Sequence, residues 1–551
     1  MRPAVAPRSL RRAGNLLITG VITGAVVSSA LTVAGPAPAA RAAADPAAAA
    51  ATAAWLESRL VDGLVEGPFG KEYGTSADAA IALDAVGGHD ATVEQISDAV
   101  AAEVGSYVDY DYEYDEVVYT GTSAGSTAKA AVLAQVAGDD SGDFGGQDLV
   151  GKLAGMVADE APITGRIVDA AFADGEPDPT GDYANAFGQT YAARALLTAG
   201  HPAGGPVVDY LLDQQCSAGF FRLYFPGKVG DQTCDGAEPA EPSPPVDTTA
   251  FVVIHLHEHA DGDPELAAAL DEAVAWIRGA QAADGSFDGG SATEGPNANS
   301  TGLAGWALHV AGETEAAEDA ATWLRARQVP GTRCDGRLAA EAGAIAYDQA
   351  AYDAGVADGI GVTATQWQLV AIQALPALLA APAARGGLRL GKVPAFLDAG
   401  RQRRVAVTGL APGERGCVRI GASTVAVVGD ADGAVTAKIA VPARSRRSLV
   451  EASVVDDTVA RSAVVLAGKR LPVRLRAKVA PTRKQRVVVR GLWKGERVVV
   501  RDRGKVVAKG RARANGRFVA TYRVVRKPGR HRVVVQGQFG DRRNQASYRV
   551  R

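Results

Sequence analysis

The sequence predicts a multidomain chain: an all-α ring of six helical hairpins followed by two all-β sandwiches. Three observations carry that reading. A hairpin-sized unit recurs between about residues 50 and 380. Near Leu379–Gly387 the hydrophobic period changes from that of helices to that of strands. Beyond that point one segment repeats itself 82 residues later.

The helical unit is clearest at Ala273–Val310. An outer helix carries Val274, Ile277 and Ala280 on one face, with Trp276 beside them. The loop Gln281-Ala-Ala-Asp284-Gly285-Ser-Phe287 follows. Then Gly295-Pro-Asn297-Ala-Asn299-Ser300-Thr301 caps a second helix. Asn, Ser and Thr suit that place because their side-chain oxygens accept from first-turn amides. The second helix (Leu303, Ala304, Trp306, Ala307, Leu308) is apolar nearly all round, so it belongs inside something. The segment Tyr210–Phe221 repeats the pattern, with Gln215, Gly219 and Phe221 at the offsets of Gln281, Gly285 and Phe287. With Ser76, Thr127, Thr190, Thr249, Thr301 and Thr365 as equivalents there are six units, spaced about 50–65 residues apart. A hairpin cannot bury its own inner face, and six can close into a ring around their inner helices.

The Gln-x-x-Asp-Gly-x-Phe loop before an Asn/Ser/Thr-capped Ala/Leu helix resembles the prenyltransferase/squalene-oxidase repeat. The resemblance covers about residues 50–380 and is strongest in units four and five. It implies an α6/α6 toroid over residues 45–384. That is the terpenoid cyclase-like fold, shared by terpenoid cyclases, protein prenyltransferase β subunits, cobalamin carriers and secreted actinobacterial proteins. The catalytic motifs of that family do not carry over. The cyclase Asp-x-Asp-Asp is missing; the nearest run is Asp109-Tyr-Asp111-Tyr-Glu113. Asp231-Gln-Thr-Cys234 and Cys334-Asp335 lack the spacing of the prenyltransferase zinc ligands, and the thioester motif is absent. We therefore expect no catalytic residue, no metal and no cofactor.

In such a ring the inner-helix N-termini and their partial positive charges converge on one mouth. Candidate ligand-binding residues there are Tyr73, Tyr110, Asp111, Tyr112, Asn185, Phe187, Gln189, Phe221, Asp247, Phe287, Asn297, Asn299, Tyr347 and Trp367. Aromatic side chains with a few polar groups suit a sugar, peptide or planar ligand. Caps and loop wedges are the plainer use of the same residues. The run Asp109–Asp115 reads as a solvated edge segment, with a Ca²⁺ site as the sharper alternative. His255 and His259 share a helix face, but the sequence is not His-Glu-x-x-His. Glu341 and Asp348 are the carboxylate pair a glycosidase would need, though sequence separation does not give their distance.

From residue 386 onward, Arg404–Thr408, Cys417–Ile420, Val425–Val428 and Val435–Val441 alternate as half-buried strands. Val407-Thr-Gly409-Leu410-x-x-Gly413-Glu414-Arg415 matches Val489-Arg-Gly491-Leu492-x-x-Gly495-Glu496-Arg497. That spacing suits two immunoglobulin-like β-sandwiches, 386–468 and 469–551.

Charge divides the chain. Residues 1–384 hold 18 Lys/Arg and 52 Asp/Glu; residues 385–551 hold 40 and 10. The basic end favours an anionic wall polymer or membrane surface as partner. Nucleic acid is not expected, because aromatic platforms are few there: Trp493, Phe518, Tyr522, Phe539 and Tyr548. Arg2, Arg8, Arg11 and Arg12 before the apolar Leu16–Val33, with Ala40-Arg-Ala42 or Ala42-Ala-Ala44 after it, read as a signal peptide over 1–44. An uncleaved anchor is the alternative; no later run is long enough to span a membrane. Export permits disulfides, and Cys216–Cys234 is the expected pair. Cys334 and Cys417 lie in different predicted domains, where pairing and free thiols both stay open. The expected function is a secreted, non-catalytic cell-surface binding protein. The alternative is an enzyme of the terpenoid cyclase/prenyltransferase superfamily or an α/α-barrel glycosidase.

Overall fold

Two sets of helices alternate along the first two-thirds of the chain in the computed structural model. It describes residues 43–236, 244–290, 293, 295–455 and 457–551. The expected signal segment lies outside these, apart from residues 43 and 44. One set is α1 (Pro46–Glu57), α3 (Asp90–Ala101), α5 (Leu149–Ala154), α7 (Gly204–Asp213), α9 (Pro264–Ala280) and α11 (Thr314–Arg325). The other is α2 (Tyr73–Val86), α4 (Ala124–Ala137), α6 (Ala186–Thr198), α8 (Val246–Leu256), α10 (Ala298–Val310) and α12 (Ala364–Ala374). The odd helices bury a stripe: in α9 it is Leu266, Ala269, Leu270, Ala273 and Ile277. The even helices are buried almost all round, as α10 is from Ser300 through Leu308.

The even helices contact one another in a closed cycle. α2 packs on α4, α4 on α6, α6 on α8, α8 on α10, α10 on α12, and α12 returns to α2. The odd helices pack against them: α3 on α2, α7 on α6, α9 on α8 and α11 on α10. One continuous apolar cluster runs through all twelve.

The repeated loop explains how neighbouring units lock. The Gln281 amide donates to Gly285 O at 3.2 Å and to Ala316 O of the next odd helix at 2.9 Å. Gln215 does the same to Gly219 O and Ala269 O. Gly285 has φ +88°, and a Cβ there would lie 2.4 Å from Asp319 O. Gly343 presses equally on Ala51 O of α1 and so joins the last unit to the first. The Ser/Thr equivalents sit inside the even helices, not at their caps. Thr301 Oγ1 accepts from Phe287 N at 3.0 Å, Thr249 Oγ1 from Phe221 N at 3.1 Å, and Ser76 Oγ from Val65 N at 2.9 Å. The caps are Ser123, Asn185 and Asn297.

The remainder of the chain is rich in antiparallel sheet, in two units of identical strand order. In the first, a five-stranded sheet runs Ser423–Val428, Arg415–Ile420, Arg446–Ser453, Thr458–Leu466, Phe396–Asp398; a three-stranded sheet runs Ala434–Ala440, Gln402–Thr408, Arg389–Leu390. In the second the five are Lys505–Arg511, Arg497–Asp502, Gly529–Gln536, Arg543–Val550, Lys478–Val479; the three are Phe518–Arg523, Lys484–Val489, Val473–Leu475. Each larger sheet ends in a parallel pair. The duplicated segment makes the same turn in both: Ala411 N donates to Glu414 Oε2 at 2.8 Å, and Trp493 N to Glu496 Oε2 at 2.9 Å.

Both cysteine pairs are joined, Cys216–Cys234 within the fourth unit's loop and Cys334–Cys417 between the helical part and the first β unit. Beside the second bond Arg415 lies 3.6 Å over the Tyr352 ring, donates to Gln349 Oε1 at 2.7 Å and reaches Ala326 O. Among the described residues no helix is long and apolar enough to cross a membrane.

Candidate ligand site in the helical ring

The N-terminal ends of α4, α6, α8 and α10 surround a cavity of about 530 Å³. In these four helices the position two residues before the Ser/Thr equivalent lines it: Gly125, Gly188, Asp247 and Asn299. The first two are glycines because α4 and α6 nearly touch there; a Cβ on Gly188 would lie 3.1 Å from Gly125 Cα. Aromatic rings form the walls. Phe251 meets Phe187 and Tyr191 edge-on, with centroids 4.8 and 4.9 Å apart, and Trp306 closes the side beyond His255. Ile81, Leu303 and Ile372 complete the apolar lining.

Two clusters of polar groups carry most of its charge. In one, Asp78 accepts from Lys129 Nζ at 2.8 Å and from the Tyr191 hydroxyl at 2.7 Å. Burial works hardest against the charge on Lys129, but Asp78 and Tyr107 together outweigh it and the ammonium's pKa is raised. Burial and the Asp78 carboxylate push the Tyr191 phenol well above its usual value, so it stays a donor. His255 contacts Arg194 at 2.8 Å. Burial, then the Arg194 and Lys129 cations, hold its pKa well below normal, so the imidazole is neutral.

The other cluster is built around Asp247, in the first turn of α8. Burial pushes its pKa up to about 6; the Ser300 and Thr293 hydroxyls pull it down and Asp288 pushes it up. Its Oδ1 is buried with no hydrogen-bond partner among the described residues, as is Asn299 Oδ1. Asp169, also in the lining, accepts from Ala124 N and Tyr183 N at 2.7 and 2.9 Å.

Of the fourteen candidates, Asn185, Phe187, Asp247 and Asn299 meet at this cavity. The other ten are placed elsewhere. Phe221 and Phe287 are wholly buried under their loops, because the Thr249 and Thr301 latches draw them in. Gln189 is a buried strut between Gly165 O, Val207 O and Ile167 N. Asn297 caps α10, and Trp367 is core. The Tyr347 carbonyl accepts from Ala298 N, and the Tyr73 ring leans on Tyr107.

Tyr110, Asp111 and Tyr112 lie in the hairpin Asp109–Tyr114/Val117–Thr122, which Ala170–Ala173 and Glu176–Pro177 extend to four strands. Tyr110 covers Gly121 opposite, Tyr112 stacks on Tyr119 at 5.3 Å, and Asp111 faces solvent. No group of described residues there or elsewhere is arranged to hold a metal. His259 meets Thr198, Glu341 serves Trp55 and Arg59, and Asp348 caps the helix Gln349–Asp358.

No protein-family model matches the chain, and no curated protein does. Among solved structures, the type II terpene cyclase MstE from Scytonema is similar at 17% identity. The match covers 60% of this chain and 97% of that one, with a TM-score of 0.40. A protein from Actinoplanes is similar at 19% identity over 61% and 99%, also with a TM-score of 0.40. The adhesin InvE from Yersinia pseudotuberculosis is similar at 11% over 30% and 58%, with a TM-score of 0.17. Likeness at this level says nothing of activity.

Proposed function

We propose that the helical part is an α6/α6 toroid whose cavity binds a small, mostly apolar molecule without transforming it. The two β units are immunoglobulin-like and attach the exported protein to an anionic surface. The observation that supports this most is the 530 Å³ cavity, walled by aromatic rings and lined by buried polar groups of which Asp247 and Asn299 each keep an unpartnered oxygen among the described residues. That is the pattern of a site that encloses an apolar body and orients it by one polar group. Asp247, mostly ionised at neutral pH and with one carboxylate oxygen unpartnered among the described residues, accepts a hydrogen bond from that group.

The test uses the full chain and the neutral fluorophore N-phenyl-1-naphthylamine. Its emission should rise on binding, and Leu303→Trp, which fills the cavity, should abolish the rise. Equal enhancement by the variant would mean surface adsorption and would sink this reading.

Asp247 also favours a second reading, an acid-initiated enzyme. An acid with a pKa near 6 is mostly ionised at neutral pH and is a weak donor towards an alkene, which argues for binding. We expect no turnover of squalene or prenyl diphosphates. Product formation that Asp247→Asn abolishes would reverse the ranking.

A further inference from the structure

The second β unit carries its charge in a particular place. Residues 469–551 hold 27 Lys and Arg against three acids. Two of the three are withdrawn from the outer face of the larger sheet. Glu496 is buried in an ion pair with Arg542 at 2.7 Å and Asp502 is buried against the Tyr522 and Tyr548 hydroxyls; Asp541 is exposed and shares a surface pocket with Arg532 and Arg543.

On that face Lys478, Arg549 and Arg530 stand side by side across three strands, and Arg497 faces Arg511 across another pair. All five are exposed. Like charges directly opposite in a sheet destabilise it. On the larger sheet of the first β unit a cation meets an acid: Arg419 faces Glu451 and holds it at 2.8 and 2.9 Å. At the same place in the second unit Arg501 faces Val534. The repeat thus keeps the cation and drops its counter-charge. A face that forgoes neutralisation from within fits an anion supplied from outside.

We propose that this sheet face binds a linear polyphosphate-type polyanion, reading its charge and not its bases or sugars. This deepens the attachment clause above and rests on it. A protein partner fits less well, since stable protein interfaces deplete charge at their centre and place apolar and aromatic groups there. A bilayer surface is disfavoured because membrane-seated faces pair cations with Trp, Phe or Leu. Trp493, Phe518 and Phe539 are only partly exposed, and none lies on these rows.

The experiment measures binding of long-chain inorganic polyphosphate to the full chain at rising NaCl. One triple variant is Lys478→Gln, Arg530→Gln, Arg549→Gln. A control of equal charge change, Lys484→Gln, Arg486→Gln, Arg523→Gln, lies on the outer face of the smaller sheet. The first triple should weaken binding at least about tenfold and lower the salt slope by about 2–3, the control by far less. Equal losses in both would overturn the face assignment but leave attachment standing; no binding at low salt would overturn both. Tighter binding per phosphate to phosphatidylglycerol vesicles, or to an oligonucleotide, would overturn the polymer assignment. So would salt-sensitive self-association that the first triple abolishes, which would make a second copy's acidic half the occupant.

Discussion

Asp247 faces a cost that its neighbours only partly offset. Its pKa is near 6 when folded, against an ordinary carboxyl value near 3.9 in the unfolded chain. Between about pH 4 and 6 the folded state therefore holds a proton that the unfolded state has lost, so stability falls as pH rises through that window. A shift of this size is worth about 2–3 kcal/mol once complete. Asp247→Asn should raise the melting temperature at pH 7.5 and leave it nearly unchanged at pH 4; an equal shift at both would show that ionisation is not the cause.

Asp247 was legible in the sequence because it opens an apolar helix. Lys129 and Asp78 gave no such signal, though each is a charge inside an Ala-rich buried helix and such a charge demands a partner. Tyr191, Phe251 and Trp306 look like core from sequence alone, since a cavity wall and a packed interior use the same residue types.

At the scale of the element, the Gln-x-x-Asp-Gly-x-Phe loop is a joint between units. Its residue types were readable, but their uses were not. Gln281 and Gly285 address the following helix, a contact that depends on how adjacent hairpins dock. Phe287 was expected at the mouth and lies beneath the loop, because its own amide is tied to Thr301. Gly285→Ala combines positive φ with a Cβ pressed on Asp319 O, and should cost more than about 2 kcal/mol. Gly87→Ala is the control, with φ +77° and open space around it, and should cost about 1 kcal/mol. Denaturant midpoints of the two variants measure the difference; equal losses would mean that the joint is not tight.

At the scale of the whole molecule, the duplicated segment recurs in two β units that share strand order and turn chemistry. The Cys334–Cys417 bond was left open, because nothing in sequence says which helical loop the first β unit abuts. It closes a loop of 83 residues' separation, worth about 4.5 kcal/mol in the chain-entropy model. Replacing both cysteines by Ser should lower the first calorimetric transition and separate helical from β melting. A single unshifted transition would show that the packing around Arg415 suffices alone.

Arg415 and its repeat-mate Arg497 occupy one position in two copies of a design, yet one is sunk into a neighbour and the other stands in water. Anyone cutting the β units free for study inherits that difference. The excised fragment would bare a guanidinium shaped for an aromatic ring and a thiol looking for its mate, and would dimerise through Cys417 under oxidising conditions. The full-length chain, or a fragment carrying Cys417→Ser, is the material on which surface attachment should be measured.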